Sequence, residues 1–157
     1  MITENRKAFL DMIAFSELGQ SLLSISDNGY NVIVGSTPKM PILFLSYADH
    51  PRRLMTLPGL GIKSTAAGRY QILARYFDAY KKSLRLPDFS PASQDAIALQ
   101  MIREQQALPD IDAGNFAAAV KKCANIWASL PGAGYGQHEN KLSALTDAYV
   151  KAGGSLA

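Results

Sequence analysis

The feature that most constrains this fold is a change of hydrophobic period along the chain. Apolar residues recur at helical spacing in residues 4–16, and again from Ser64 almost to the C-terminus. Between them, residues 29–57 contain short stretches rich in β-branched and aromatic residues, separated by turn signals. This order predicts an α+β fold with a mainly helical lobe, a small antiparallel sheet lobe at about residues 29–57 and a cleft between the lobes. We expect a single domain over residues 1–157, which is long enough for a proper core.

Local signals place the individual elements. Strands are expected at residues 30–34, 42–45 and 53–57, after the Asp27-Asn28-Gly29 turn. Ser64 or Thr65 is expected to cap the second helix. Helices are expected at residues 4–16, 64–83, 91–106, 115–127 and 137–152, with at most a short turn at 109–113.

Charge and cysteine content argue against several classes of function. The net charge is +3, and the 16 basic residues are scattered, so we expect no nucleic-acid partner. Cys123 is the only cysteine, which excludes an intrachain disulfide and a cysteine-based metal cluster, and its apolar neighbours predict a buried thiol. The polar N-terminus lacks a secretory apolar core, and the longest apolar run, residues 40–45, is too short to span a membrane. We therefore expect synthesis in the cytoplasm and no membrane insertion.

Glu17 is the candidate catalytic residue. It follows the first predicted helix, where the helix macrodipole and the unpaired carbonyls disfavour a negative charge. Such a position raises the pKa of a carboxyl group, and glycosidic bond cleavage needs a protonated carboxylic acid. A solvated helix end is the commoner interpretation when position alone is considered.

Two further segments are candidate binding sites for a polymer. The segment 64–71 combines small residues with an aromatic ring and an amide at a predicted helix start, with Ser64, Gly68, Tyr70 and Gln71 as the candidate contacts. An ordinary helix cap followed by core residues is equally consistent. The glycine-rich loop 128–137 lacks the Gly-Lys-Ser/Thr ending of a phosphate-binding loop. It either presents Tyr135 and Gln137 to the cleft or simply connects two helices.

Other catalytic chemistries find little support. His50 and His138 are far apart and neither belongs to a metal-binding motif, so we expect no metal and no cofactor. No nucleophile-elbow motif supports Ser-His-Asp chemistry. Asp27 and Asp49 are the sheet-lobe carboxylates that could face Glu17, although both occupy turn positions. Glu139 on the last predicted helix is expected to be solvated.

Several motifs follow one another along the chain: RKAFLDM at 6–12 leading to Ser16-Glu17, GYNVIV at 29–34, YADHP at 47–51, KSTAAGRYQ at 63–71, DFSPASQDA at 88–96 and NIWASLPGAGYGQ at 125–137. In sequence and order they are similar to the motifs of the lambda phage endolysin family. The resemblance covers essentially the whole chain. It implies a lysozyme-like α+β fold and cleavage of the β-1,4 bond between N-acetylmuramic acid and N-acetylglucosamine in peptidoglycan.

The resemblance also implies a mechanism and partners. Members of this family resemble lytic transglycosylases, and their single catalytic glutamate falls on Glu17, acting first as acid and then as base while a 1,6-anhydro ring forms. An internal nucleophile removes the need for a second carboxylate. The implied partners are peptidoglycan strands and a holin-type membrane protein that releases the enzyme, a monomer, from the host cytoplasm onto the periplasmic wall.

The departures from the family pattern lie next to the candidate acid. Leu18 stands where the Ser-Glu motif usually continues with glycine, and Asn31 stands where aspartate is frequent. Two alternatives therefore remain open. One is a hydrolytic lysozyme whose water is positioned by Asp49 or Asn31, and the other is a non-catalytic glycan-binding relative.

Overall fold

The computed structural model describes residues 2–157. In this range the chain forms six helices and one two-stranded antiparallel sheet, so the predicted α+β class is confirmed. The elements in chain order are α1 (Glu4–Ile25), β1 (Met55–Leu57), β2 (Ile62–Ser64), α2 (Ala74–Leu84), α3 (Pro91–Glu104), α4 (Leu108–Asp112), α5 (Phe116–Cys123) and α6 (Leu142–Lys151). Contacts divide the chain into two compact units, one formed by the residues up to Glu17 together with Ala98–Ala157, and the other by Leu18–Ile97.

The start of α1 follows its sequence signals. The Thr3 hydroxyl accepts a hydrogen bond from the Arg6 N–H at 3.2 Å, which satisfies one of the free donors of the first turn. The predicted apolar face is buried, as the full burial of three of its side chains shows: Phe9, Met12 and Ile13.

The second half of α1 differs from the prediction. The helical hydrogen-bonding pattern resumes beyond the predicted end and continues to Ile25, across a non-helical residue, Gly19, with φ 79° and ψ 154°. By length and composition alone, α1 meets the criterion for a membrane-spanning helix. Half of its most apolar window is buried inside the protein, and buried core helices of soluble proteins meet the same criterion.

The first unit is centred on aromatic side chains. The Phe116 ring lies edge-on to Phe9, with centroids 5.9 Å apart, and stacks on Tyr149 at 4.5 Å. Trp127 and Cys123 are buried in the same unit, which confirms the predicted buried thiol. Burial raises the pKa of the Cys123 thiol to about 12, so this thiol is not a nucleophile.

The sheet is smaller than predicted and lies partly elsewhere. Only the third predicted strand forms, as β1, and it pairs with β2, with Thr56 opposite Lys63. The first two predicted strands meet in a single bridge between Val32 and Leu43. Here the Ser36 hydroxyl donates to Ile33 O at 2.6 Å and accepts from Ile42 N at 2.9 Å, so a side chain replaces ladder bonds.

The prediction of a helix from Ser64 is wrong. Ser64 ends β2, and residues 68–71 form a tight turn in which Gly68 (φ +83°) and Gln71 (φ +52°) have left-handed conformations. The turn is closed by two backbone hydrogen bonds between Ala67 and Ile72, of 3.1 and 2.9 Å.

The helix that follows is α2, which begins ten residues later than predicted. Its first N–H, on Ala74, donates to the Thr65 hydroxyl at 3.0 Å, so Thr65 caps the helix across the intervening turn. The start of α3 at Pro91 is confirmed, with the Ser90 hydroxyl accepting from Ser93 N. The last helix, α6, begins at Leu142 instead of residue 137.

Candidate active site

Glu17 lies in the last turn of the regular part of α1, two residues before the interruption at Gly19. The predicted helix-end position is therefore confirmed. Carbonyl groups without helical partners gather at such an end, and the macrodipole there is negative. The side chain is half-buried, so the carboxylate form is poorly solvated.

The electrostatics of Glu17 suit proton transfer near neutral pH. Burial raises the pKa of the Glu17 carboxyl to about 7, while hydrogen bonds from the Ser129 side chain and backbone act in the opposite direction. Burial is the larger influence. A carboxyl group with this pKa can give a proton near pH 7 and, once ionised, can take one back.

A small polar network adjoins the carboxyl group. The Ser129 hydroxyl donates to Glu17 Oε2 in a short hydrogen bond, and Ser129 Oγ lies 2.8 Å from Ser16 Oγ. The Asn140 side-chain nitrogen donates to Ser16 O at 2.9 Å and to Ser16 Oγ at 3.1 Å. Three residues, Ser16, Ser129 and Asn140, are thus linked by hydrogen bonds, and Ser129 connects them to one carboxyl oxygen of Glu17.

The chain around Ser129 is held firmly. Its neighbours Trp127 and Leu130 are buried, which anchors the segment in the first unit. Asn140 N–H donates to the Ser129 carbonyl at 2.8 Å, so the two ends of the intervening loop are joined. This backbone bond brings the Asn140 side chain to Ser16.

Glu139 organises the glycine-rich loop. Its carboxylate accepts the Gly132 N–H at 3.0 Å and the Gly134 N–H at 2.9 Å, and these bonds lower the pKa of Glu139. The prediction that Glu139 belongs to the last helix is wrong, because α6 begins at Leu142. Tyr135 is 56% exposed, with its hydroxyl donating to Asn125 O at 2.7 Å.

The structure gives the residues of the 64–71 segment structural roles. The Tyr70 ring is only 1% exposed, and its hydroxyl donates to Asp95 at 2.6 Å, so the expectation that the ring stacks on a sugar is wrong. The Gln71 amide donates to Gly68 O at 2.8 Å, inside the turn. Ser64 is half-buried and its hydroxyl accepts from Ala66 N at 3.1 Å.

Gly68 is required by packing. A Cβ atom at this position would lie 2.3 Å from Gln94 Oε1, which is fully buried and accepts the Arg69 N–H at 2.9 Å. The Gln94 amide nitrogen donates to two backbone carbonyls, those of Tyr30 and Phe89. The close approach that glycine permits is thus to a buried amide.

The polar residues of the sheet-containing unit are engaged by their neighbours. Asp49 receives two hydrogen bonds from Arg52, at 2.9 and 3.2 Å, which lower the pKa of the Asp49 carboxyl. Asn31 accepts the Asp27 N–H at 2.9 Å. His50 is buried with both ring nitrogens hydrogen-bonded. Among residues 2–157, no group of three or more His, Cys, Asp and Glu side chains is placed to hold a metal ion.

Reasoning from the sequence did not single out three residues of this site: Ser16, Ser129 and Asn140. Ser16 precedes the acid in a family-like motif, and Ser129 lies inside the long 125–137 motif, so both carried a usable signal. Asn140 lies outside these motifs. In contrast, Tyr135 and Gln137 are in the first unit with Glu17, and both are exposed.

Comparisons with known proteins agree with this fold. The family model described as Endolysin matches residues 7–156. The endolysin of Escherichia phage lambda is 53% identical over 99% of this chain and 95% of the relative, and that of Escherichia phage P2 is 48% identical over 96% and 94%. Among solved structures, bacteriophage lambda lysozyme complexed with a chitohexasaccharide superposes with a TM-score of 0.91 at 52% identity, over 100% of this chain and 99% of that one.

A second structure, lysozyme from bacteriophage lambda, gives a TM-score of 0.86 at 51% identity, with the same coverage of both chains. The sequence relatives and the structural neighbours therefore agree over nearly the full length. This chain belongs to the endolysin family.

Proposed function

We propose that this endolysin degrades peptidoglycan as a lytic transglycosylase, with Glu17 as its single catalytic residue. The bond cleaved is the β-1,4 linkage between N-acetylmuramic acid and N-acetylglucosamine. The observation that carries the proposal is the half-buried Glu17 carboxyl, whose pKa burial raises to about 7. The chitohexasaccharide held by the lambda lysozyme structure supports a glycan as the substrate class.

Glu17 acts twice in the reaction. The protonated carboxyl first gives its proton to the glycosidic oxygen, and the bond from that oxygen to C1 of the muramic acid breaks. The muramic acid 6-hydroxyl oxygen then bonds to C1, and the Glu17 carboxylate takes the hydroxyl proton. The products are a 1,6-anhydro sugar and a free 4-hydroxyl, no water is consumed, and the enzyme returns to its protonated state.

The state of the other polar candidates supports a mechanism with one carboxylate. The Asp49 carboxylate accepts hydrogen bonds from Nε and Nη2 of Arg52, and the Asn31 side chain is an amide that cannot act as an ionised base. An internal 6-hydroxyl nucleophile needs no second carboxylate, since it is positioned by the substrate itself. A hydrolase would instead need a base for its water.

The physiological setting forms part of the same proposal. The enzyme waits in the host cytoplasm until a holin-type membrane partner releases it, and then acts as a monomer on the periplasmic peptidoglycan during host-cell lysis. Its affinity for the wall is expected to come from the glycan-contacting residues, with Tyr135 and Gln137 the exposed candidates in the Glu17 unit. Within residues 64–71, Ser64 and Gln71 stay candidate contacts, because both are half-buried whereas Tyr70 is buried.

Mass spectrometry of digested peptidoglycan tests the mechanism. Anhydro-muramyl products, one water lighter than hydrolysed ones, are expected, and a preponderance of reducing muramic acid would reject transglycosylation. A turbidity assay on outer-membrane-permeabilised cells tests the enzyme claim, with Glu17→Gln expected to be inactive. The exposed Ser143→Ala variant on α6 serves as the matched control. Equal clearing by wild type and Glu17→Gln would indicate a non-catalytic relative.

A further inference from the structure

The orientation of the Asn140 amide is determined by its surroundings. Its nitrogen lies 2.9 Å from the Ser16 carbonyl oxygen, which can only accept a hydrogen bond. The NH₂ group must therefore face Ser16, and the amide cannot be turned around without losing this bond. The same nitrogen lies 3.1 Å from Ser16 Oγ, so a second amide hydrogen is donated to that hydroxyl.

The hydroxyl hydrogens set the direction of the bonds that follow. Ser129 has one hydroxyl hydrogen, which it donates to Glu17 Oε2, and its backbone N–H also donates to the Glu17 carboxyl group. The 2.8 Å bond between the two hydroxyls is therefore donated by Ser16, whose Oγ accepts from Asn140. In this order each hydroxyl accepts once and donates once, so both are satisfied in a site where Ser16 is buried.

We infer that Asn140, Ser16 and Ser129 form a one-way chain of donors that keeps Glu17 Oε2 as an acceptor and leaves Oε1 as the oxygen that gives and receives the catalytic proton. This inference deepens the proposed function and rests on it. The three residues act through Glu17, so they are positioning residues. Their combined effect is to assign different tasks to the two oxygens of one carboxyl group.

The assignment simplifies both proton transfers. In the protonated acid, the hydrogen is on Oε1 and Oε2 is the carbonyl oxygen that accepts from Ser129. When Oε1 gives its proton to the glycosidic oxygen, the hydrogen bond at Oε2 becomes charge-assisted and stabilises the new carboxylate. Oε1 then takes the proton of the 6-hydroxyl, so the carboxyl group need not rotate between the two steps.

A purely structural role would predict different behaviour. If the donor chain of Asn140, Ser16 and Ser129 only joined α1 to the segment after α5, removing its hydrogen bonds would lower stability and leave the titration of Glu17 unchanged. If the donor chain acts on Oε2, each substitution that interrupts it raises the pH at which Glu17 ionises, because the carboxylate is less well hydrogen-bonded. The effect should decrease with distance from the acid, from Ser129 through Ser16 to Asn140.

The test is the titration of Glu17 in the free protein, followed by ¹³C NMR of labelled glutamate carboxyls, with Glu17→Gln identifying its signal. Ser129→Ala is expected to raise the midpoint by about one pH unit, Ser16→Ala by less, and Asn140→Ala by least. Ser129→Thr keeps the hydroxyl and should restore the wild-type midpoint. Ser143→Ala, at an exposed position of α6, should leave the midpoint unchanged. Infrared spectra at acid pH should show a higher C=O stretching frequency in Ser129→Ala, because Oε2 has lost the hydroxyl donor.

Unchanged midpoints and an unchanged C=O band in a folded Ser129→Ala protein would overturn the inference. These measurements need no substrate, so they are independent of whether wild type forms anhydro products. Kinetics add a second readout, since Ser129→Ala should lower kcat roughly tenfold with little change in KM. A raised KM with unchanged kcat would also contradict a role exerted through the acid.

Discussion

The Ser129 hydroxyl donates a hydrogen bond to Oε2 of Glu17, although 112 residues separate the two in the chain. Burial raises the pKa of Glu17, and this hydrogen bond lowers it, so the value of about 7 is a balance in which burial is the larger influence. Without the bond Glu17 would be a weaker acid, and with less burial it would less often be protonated at neutral pH.

The first prediction concerns stability against pH. Because the folded-state pKa of Glu17 lies above the unfolded-state value, its contribution is fully present below about pH 4 and is lost as pH rises to about 7. The Glu17→Gln substitution removes this loss of stability at high pH, because glutamine does not ionise. The variant should match wild type at pH 4 and be more stable at pH 8, by about 3 kcal/mol at most because the carboxyl is partly solvated.

Urea unfolding at pH 4 and pH 8 measures this difference. Asp147→Asn, at an exposed position of α6, is the control for removing one negative charge from the same unit. A Glu17→Gln protein that gains no stability over wild type between the two pH values would contradict the raised pKa.

The second prediction concerns activity against pH. On a soluble peptidoglycan fragment, kcat/KM should be level from about pH 5 to 6, fall to half near pH 7 and then fall tenfold per pH unit as Glu17 ionises. The pH profile should therefore show only the fall at alkaline pH, because one group serves as both acid and base. A bell-shaped profile with a second ionisation at acid pH would instead indicate a separate catalytic base, as in a two-carboxylate hydrolase.

Local sequence signals predicted the parts of this site that depend on one segment. The helix end that holds Glu17 follows from an apolar pattern interrupted near Gly19, and the start of α3 follows from Ser90 and Pro91. The burial of Cys123 follows from its helical neighbours. In each case the determining contacts lie within a few residues, so propensity and periodicity were sufficient.

The features that the sequence did not predict depend on contacts between distant residues. The sequence pattern predicts that the Tyr70 ring is exposed and stacks on a sugar. In the structure the ring is buried, and Asp95, 25 residues away, accepts a hydrogen bond from its hydroxyl. Thr65 looked like an adjacent helix cap, but it caps α2 across a turn. The donor chain from Asn140 to Glu17 needs a loop closure that no local pattern encodes.

The third prediction separates packing from backbone strain at glycine. Gly68→Ala places a methyl group against buried Gln94 in a left-handed conformation, and it should lower the free energy of unfolding by about 3 kcal/mol or more. Gly132→Ala has the same sign of φ, +84°, but open space around the new Cβ, so it should cost about 1 kcal/mol. Denaturant unfolding of both variants measures the difference. Equal losses of unfolding free energy in the two variants would show that the Gln94 side chain moves aside without destabilising the protein.

The last prediction concerns the loop that carries Tyr135. Glu139 accepts the N–H groups of Gly132 and Gly134, and its lowered pKa means that this tether persists below the pH at which an ordinary glutamate is protonated. Glu139→Ala should therefore speed amide hydrogen exchange at both glycines by on the order of tenfold.

Amide exchange followed by NMR at pH 6 provides the measurement for this loop, with Asp147→Ala as the control for loss of an exposed carboxylate in the same unit. Tyr135→Phe removes the hydroxyl that donates to Asn125, so it tests a tether at a different point of the loop. If Glu139 is the main anchor, exchange at Gly132 should respond to Glu139→Ala and not to Tyr135→Phe. Equal protection in Glu139→Ala and wild type would show that the backbone turns alone hold this loop.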